Sequence, residues 1–259
     1  MKRLMNKTLV LTALLLPFPL MAASAFDGTW KIDVSKIHGS GTAEVMTLKD
    51  GLYTCNCAPP IHIKADGTDQ PVSGRPDMDH MAVKVVSDHV VEQTAKKDGK
   101  LIYSRTYTVA PDGKTATFDT TSDRGKHANF HGTLKRVGPG APGSNALAGS
   151  WQIASYQSAS ENRLTSTYKV DGDTVTMSNK LGESYTAKLG GKPVAVAGDP
   201  DHDTVAVKMV GDALQETNYR DGKLTSISKM TVSPDGKQMT TVAIFKPTNR
   251  GLTLVANKQ

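Results

Sequence analysis

The chain has 259 residues, 38% of them hydrophobic, with 31 Lys and Arg against 25 Asp and Glu for a net charge of +6. The charges are interspersed, with no run of five like signs, which argues against nucleic acid and anionic membrane surfaces as partners. Only two cysteines occur, and the chain is long enough to bury a core without covalent staples.

At the start, Lys2, Arg3 and Lys7 precede an apolar run from Leu9 to Met21, and Ala23-Ser24-Ala25 fits the small-x-small cleavage rule. Residues 1–25 are therefore expected to be a secretory signal peptide, the apolar run being shorter than the about 20 residues that span a bilayer. Its removal takes three basic residues and no acid, which lowers the net charge from +6 to +3. No later segment is apolar enough to cross a membrane, so the protein is expected to be periplasmic or extracellular.

Gly28-x-Trp30 opens the mature chain, and Cys55-Asn56-Cys57 follows. Residues two apart on a strand point the same way with Cα atoms about 6–7 Å apart, and a disulfide prefers roughly 4.4–6.8 Å. A local disulfide, a redox or metal-binding thiol pair, and two idle thiols all stay open for Cys55 and Cys57; His62 is near in sequence. Gly74-x-Pro76-Asp77-x-Asp79 then leads into a strand, with His80 beside it. Its carboxylates suit turn capping and fall short of the six to eight oxygens calcium takes, so no metal site is expected there.

From here the pattern is β. Strands are expected at Met81–Val86, His89–Ala95, Leu101–Val109 and Thr115–Thr121, separated by turns such as Asp98-Gly99 and Asp112-Gly113. Alternation places Leu101, Tyr103, Arg105, Tyr107 and Val109 on one face. His127 and His131, four apart, would lie roughly 13 Å apart on a strand and are read as ordinary strand or loop residues. A Gly-, Pro- and Ser-rich stretch at 137–147 reads as a linker.

After it the sequence repeats. Gly74–Val86 returns as Gly198–Val210, 124 residues later; Asp98–Leu101 returns as Asp221–Leu224 and Thr108–Lys114 as Thr231–Lys237, each 123 residues later. Asp77 and Asp79 have counterparts in Asp201 and Asp203, and His202 stands beside them. Constant spacing over so long a stretch indicates a duplicated domain: residues 26–136, the linker 137–147, and residues 148–259. Strands in the second copy are expected at Leu164–Val170, Thr174–Ser178, Ser184–Leu189, Thr204–Val210, Leu214–Tyr219, Leu224–Val232, Met239–Phe245 and Leu252–Ala256. The fold class is thus all-β, two tandem antiparallel barrels of about eight strands each, because a meander of that length closes on itself to remove its edges.

Gly28-x-Trp30 and Gly149-x-Trp151 each begin a meander that ends in a basic residue, Arg136 in the first copy and Lys258 in the second. This resembles the calycin pattern of lipocalins, fatty-acid-binding proteins and avidins, and is similar to paired lipocalin-like modules of secreted bacterial proteins. The resemblance implies that each tryptophan packs across a barrel floor beneath the basic residue of the last strand, and that a barrel of this size holds one small, apolar ligand. Two other readings stand beside this binding function. One is an envelope interaction module with barrels filled by their own side chains; the other is a thiol–disulfide enzyme using Cys55 and Cys57. No P-loop, dinucleotide fingerprint, zinc-protease helix or Gly-x-Ser-x-Gly motif occurs, so no cofactor and no catalytic residue is assigned.

Overall fold

A computed structural model describes residues 24–75, 78–122, 128–246 and 248–259. Most of the expected signal peptide, together with Asp77 and His127, lies outside the described residues. Strand β1 (Gly28–Ile32) carries Trp30 and continues through a single 3-10 turn at Val34–Lys36, capped by the Asp33 carboxylate, into β2 (His38–Gly41). Ten strands follow: β3 (Glu44–Lys49), β4 (Leu52–Cys55), β5 (Ile61–Lys64), β6 (Gln70–Pro71), β7 (His80–Val85), β8 (Val90–Lys97), β9 (Lys100–Val109), β10 (Thr115–Ser122), β11 (Ala128–Pro139) and β12 (Gly149–Ala159). The rest are β13 (Thr165–Asp171), β14 (Thr174–Asn179), β15 (Ser184–Lys188), β16 (Val194–Ala195), β17 (Thr204–Val210), β18 (Ala213–Arg220), β19 (Lys223–Val232), β20 (Gln238–Phe245) and β21 (Arg250–Lys258).

These make two nearly closed antiparallel barrels. One runs β5-β4-β3-β12-β11-β10-β9-β8-β7-β6, and the other β15-β14-β13-β1-β21-β20-β19-β18-β17-β16, with β2 added alongside β21. Single bridges narrow the remaining gaps, Asp66 to Lys84 in the first, and Ser184 to Ala197 and Leu189 to Val207 in the second. Each path has ten strands rather than about eight, partly because the two-residue strands Gln70–Pro71 and Val194–Ala195 are too short to show alternation. Asp98-Gly99 and Asp221-Gly222 both hold positive φ at two successive residues, the geometry that matches the right-handed twist of a two-residue hairpin. The shared face of β9 turns inward at Tyr107 and Val109, which are buried, whereas Leu101 beside the Asp98-Gly99 turn is 41% exposed.

The barrels do not follow the sequence repeat. Trp30 on β1 pairs with Ser166 and Lys258, both from the second copy. Trp151 on β12 pairs with Glu44 and Arg136, both from the first. Each tryptophan strand therefore completes the barrel of the other copy. By its hydrogen bonds the first barrel is the continuous stretch Glu44 to Ala159, and the second is Thr165 to Lys258 closed by β1. The predicted linker stretch is the β11–β12 turn: Gly138 and Pro139 still pair with Ser150 and Gly149. The exchange costs nothing in strand number because the two tryptophan strands are equivalent, and for β12 it makes the pairing with β11 a local hairpin contact. Each barrel has its own core, one built around Trp151, Tyr53, Tyr107, Met46 and Val83, the other around Trp30, Leu214, Met230, Val175 and Val205.

Candidate functional site

At the two tryptophans the exchange decides which residues meet. Trp151 and Trp30 are both 1% exposed, and their indole N–H groups donate to the carbonyls of Leu147 and Phe26, each at 2.8 Å. The Arg136 guanidinium lies 4.1 Å from the Trp151 ring centre, and the Lys258 ammonium 5.1 Å from that of Trp30. The pairs are thus Trp151 with Arg136 and Trp30 with Lys258, the reverse of the expectation from the repeats. Arg136 also donates to the carbonyls of Gly113, Ala146 and Ala148. The glycine of each Gly-x-Trp is explained by the same cation. Gly149 has φ +138°, and a Cβ there would collide with the Arg136 guanidinium and the Gly138 carbonyl; at Gly28, φ +127°, it would meet the Lys258 side chain. This end of each barrel is a packed floor.

A cavity of about 330 Å³ enters the first barrel and is walled by the second. Leu134, Trp151, Ile153 and Tyr156 line it from the first barrel, and Phe245, Arg250 and Leu252 from the second. Arg105 projects into it from the inward face of β9. Its Nε donates to Thr120 Oγ1 at 2.7 Å and its Nη1 to the Tyr107 hydroxyl at 3.0 Å, and its guanidinium carbon lies 5.5–5.7 Å from the rings of Tyr103, Tyr107 and Phe118. All of these partners are neutral. Burial raises the phenols of Tyr107 and Tyr156, and pushes Tyr103 up to about 12 against the pull of Arg105, so none ionises near neutral pH. The second arginine of the cavity, Arg250, is already matched: it pairs with Glu44 at 3.1 Å and donates to Asn56 Oδ1 at 3.1 Å. The lining therefore carries an excess positive charge, on Arg105.

The equivalent region of the second barrel has the opposite sign. Glu216 faces inward from β18, where Gln93 stands in the first barrel, and its Oε1 accepts from Tyr168 at 3.0 Å and Tyr185 at 2.6 Å. Burial raises the Glu216 carboxyl, opposed by the two phenol hydrogen bonds. The adjoining cavity is smaller, about 220 Å³.

The other sequence candidates fall elsewhere. Cys55 and Cys57 are joined as a disulfide with Cα atoms 5.2 Å apart, at the start of the loop after β4. His62 is exposed on β5 and is outside the group of close donor atoms formed by Glu44, Cys55 and Cys57. In the Asp-rich motif, Asp199 caps the backbone N–H groups of Asp201 and Asp203, while Asp203 takes Arg220 in a two-point pair and Asp201 adds a third contact at 2.8 Å. Asp79 accepts from the Asp98 backbone N–H and the His80 ring, which lower its carboxyl in that order. His202, at positive φ, sits in the same turn, its backbone N–H donating to the Asp199 carbonyl at 3.2 Å. His131 pairs with Asp119 across β10 and β11 at 2.6 Å.

Arg105 had one visible signal, a charge on the inward side of an alternating strand, and Glu216 had the same between Leu214 and Asn218. Glu44 and Arg250 had none, since their meeting depends on how the barrels pack. Comparison of the chain with protein-family models, with curated proteins and with solved structures finds no match.

Proposed function

We propose that the protein is an exported, non-enzymatic binder of a small amphipathic acid, held in the first barrel's cavity with its anionic group on Arg105 and its apolar part against Leu134, Ile153, Phe245 and Leu252. The observation that carries this reading is Arg105 itself: a cation turned inward, hydrogen-bonded among the described residues to neutral groups, and opening onto a cavity whose one carboxylate, Glu44, is held by Arg250. A desolvated guanidinium is costly without an anion, and its planar fork suits a carboxylate. The cavity volume sits at the small end of the usual range for ligand sites, roughly 300–1,000 Å³, so the acid is small. The floor geometry of tryptophan under a basic residue supports the calycin-like reading, whose members bind ligands in such barrels.

The second barrel favours a supporting role. Its inward carboxyl is met by Tyr168 and Tyr185, and its core is filled around Trp30. This smaller cavity with a partnered carboxyl favours the interaction alternative for that barrel, which also supplies one wall of the proposed site.

Native mass spectrometry of protein purified from its own host tests the proposal. An organic acid that leaves on denaturation, and that is missing from Arg105→Met prepared the same way, is the expected result. A bound molecule retained unchanged by Arg105→Met would move the ligand elsewhere and overturn the assignment.

A further inference from the structure

The Cys55–Cys57 loop carries a second site that does not use Arg105, although Glu44 and its partner Arg250 also line the acid cavity. Glu44 Oε1 lies 4.0 Å from Cys55 Sγ and 3.9 Å from Cys57 Sγ. We propose that these three residues form a redox-gated site for a thiophilic divalent metal ion: closed while the disulfide is intact, and a two-sulfur, one-oxygen site once it is reduced.

The placement is built by the fold. Asn56, the middle residue of Cys-x-Cys, accepts from the Val45 N–H at 2.8 Å and donates to the Ala43 carbonyl at 3.1 Å, the residues on either side of Glu44. The two sulfurs are thereby registered against that one carboxylate. Arg250 holds the other carboxylate oxygen, Oε2, at 3.1 Å, which leaves Oε1 toward the sulfurs. The Cys57 N–H reaches Cys55 Sγ at 3.0 Å, which further fixes the local geometry. A tetrahedral ion with bonds of roughly 2.3 Å to sulfur and 2.1 Å to oxygen needs sulfur–oxygen edges of about 3.6 Å and a sulfur–sulfur edge of about 3.8 Å; the carboxylate stands close to the first in the disulfide form, and reduction frees the two sulfurs to separate to the second. Two thiolates and a carboxylate on a divalent ion leave one negative charge, and Arg250 supplies the matching positive one, as an outer residue that orients a ligand does. Cys57 also lines an open groove with Pro59 and Pro60, which makes its sulfur reachable from solvent.

The chemistry balances with a dithiol or phosphine reductant. Two electrons and two protons convert the disulfide to two thiols: a dithiol supplies both and becomes its own disulfide, while a phosphine supplies the electrons and becomes its oxide, taking the oxygen from a water that gives the two protons. Metal binding then releases the two thiol protons.

The test is a cadmium chloride titration of the full protein, oxidised and after reduction and removal of the reductant, followed by the thiolate-to-cadmium charge-transfer band. The expected result is one equivalent bound by the reduced protein and none by the oxidised form. Glu44→Gln should weaken binding by at least about 10–100-fold, the scale seen when a metal site loses only an outer partner, and Cys57→Ser should remove tight, one-equivalent binding. No band after reduction would overturn the site. Unchanged affinity in Glu44→Gln, with its oxidised form folded by near-ultraviolet dichroism, would remove Glu44 from it; if that variant does not fold, unchanged affinity in Cys57→Ser overturns the proposal instead.

Discussion

Replacing Arg136 by methionine should disturb Trp151 and leave Trp30 alone, although Trp30 opens the repeat that Arg136 closes. The side chain lies over the Trp151 ring and donates to three carbonyls. The ring contact is worth about 0.5–2 kcal/mol. Each carbonyl that loses a charged donor costs on the order of 1–3 kcal/mol where water does not replace it. These terms are not additive, and Arg136 is only part-buried, so the loss for the first barrel comes to about 3–5 kcal/mol. Lys258→Met removes a 5.1 Å ring contact, without side-chain bonds to carbonyls among the described residues, and should cost the second barrel only about 0.5–1 kcal/mol. Because the chain has two tryptophans, Trp30→Phe and Trp151→Phe backgrounds each leave one reporter. Native emission and urea unfolding are then recorded in both. With urea slopes of roughly 1–3 kcal/mol per molar, Arg136→Met should move the midpoint reported by Trp151 by about 1 M or more. A changed native emission of Trp30 in Arg136→Met, with Trp151 unmoved, would refute the exchanged pairing.

Three further outcomes follow from the same geometry. Gly149→Ala should destabilise the first barrel by about 3 kcal/mol or more, because left-handed strain of roughly 1–3 kcal/mol is joined by collision with a fixed guanidinium and a backbone carbonyl; Gly28→Ala meets only the flexible Lys258 chain and should cost about 1–3 kcal/mol by the strain alone, both read by chemical denaturation. Glu216 keeps its proton to higher pH folded than unfolded, so the native state binds more protons in that window and stability of the second barrel falls as pH rises from the ordinary carboxylate value through the raised one. Glu216→Gln should flatten this dependence in urea midpoints followed by Trp30, and an unchanged slope would show that the carboxyl does not carry it. Arg250→Met breaks a part-buried pair joining β21 to β3 and should lower stability by about 1–3 kcal/mol in thermal or urea unfolding.

The strands were legible because their causes are local. Alternation over β9 and β19 and the Asp-Gly turns at 98–99 and 221–222 set strand length and turn type within a few residues of one another. Barrel closure followed from strand count. The partner of each tryptophan strand was not legible, because β1 and β12 carry the same Gly-x-Trp signal and fit the same slot in either barrel; equivalent sequences cannot say which slot each fills. The same degeneracy hid the true partners of Arg136 and Lys258. The Arg105 cavity was half visible, as a charge on an inward face. Glu44 and Arg250, 206 positions apart, meet only through the packing of two barrels, which no spacing encodes. Asn56 carries no signal in the sequence, because its two hydrogen bonds reach Val45 and Ala43, eleven and thirteen positions away around the start of β3.

The most direct measurement of the central claim is calorimetric titration of the full protein with octanoate and, in parallel, with octanol, repeated in Arg105→Met. The account predicts that octanoate binds the wild type at least tenfold more tightly than octanol, the scale of one charge-assisted hydrogen bond, about 1.5–3 kcal/mol, and that Arg105→Met erases the preference. Equal binding of acid and alcohol by the wild type, or a preference for the acid that survives in Arg105→Met, would contradict it.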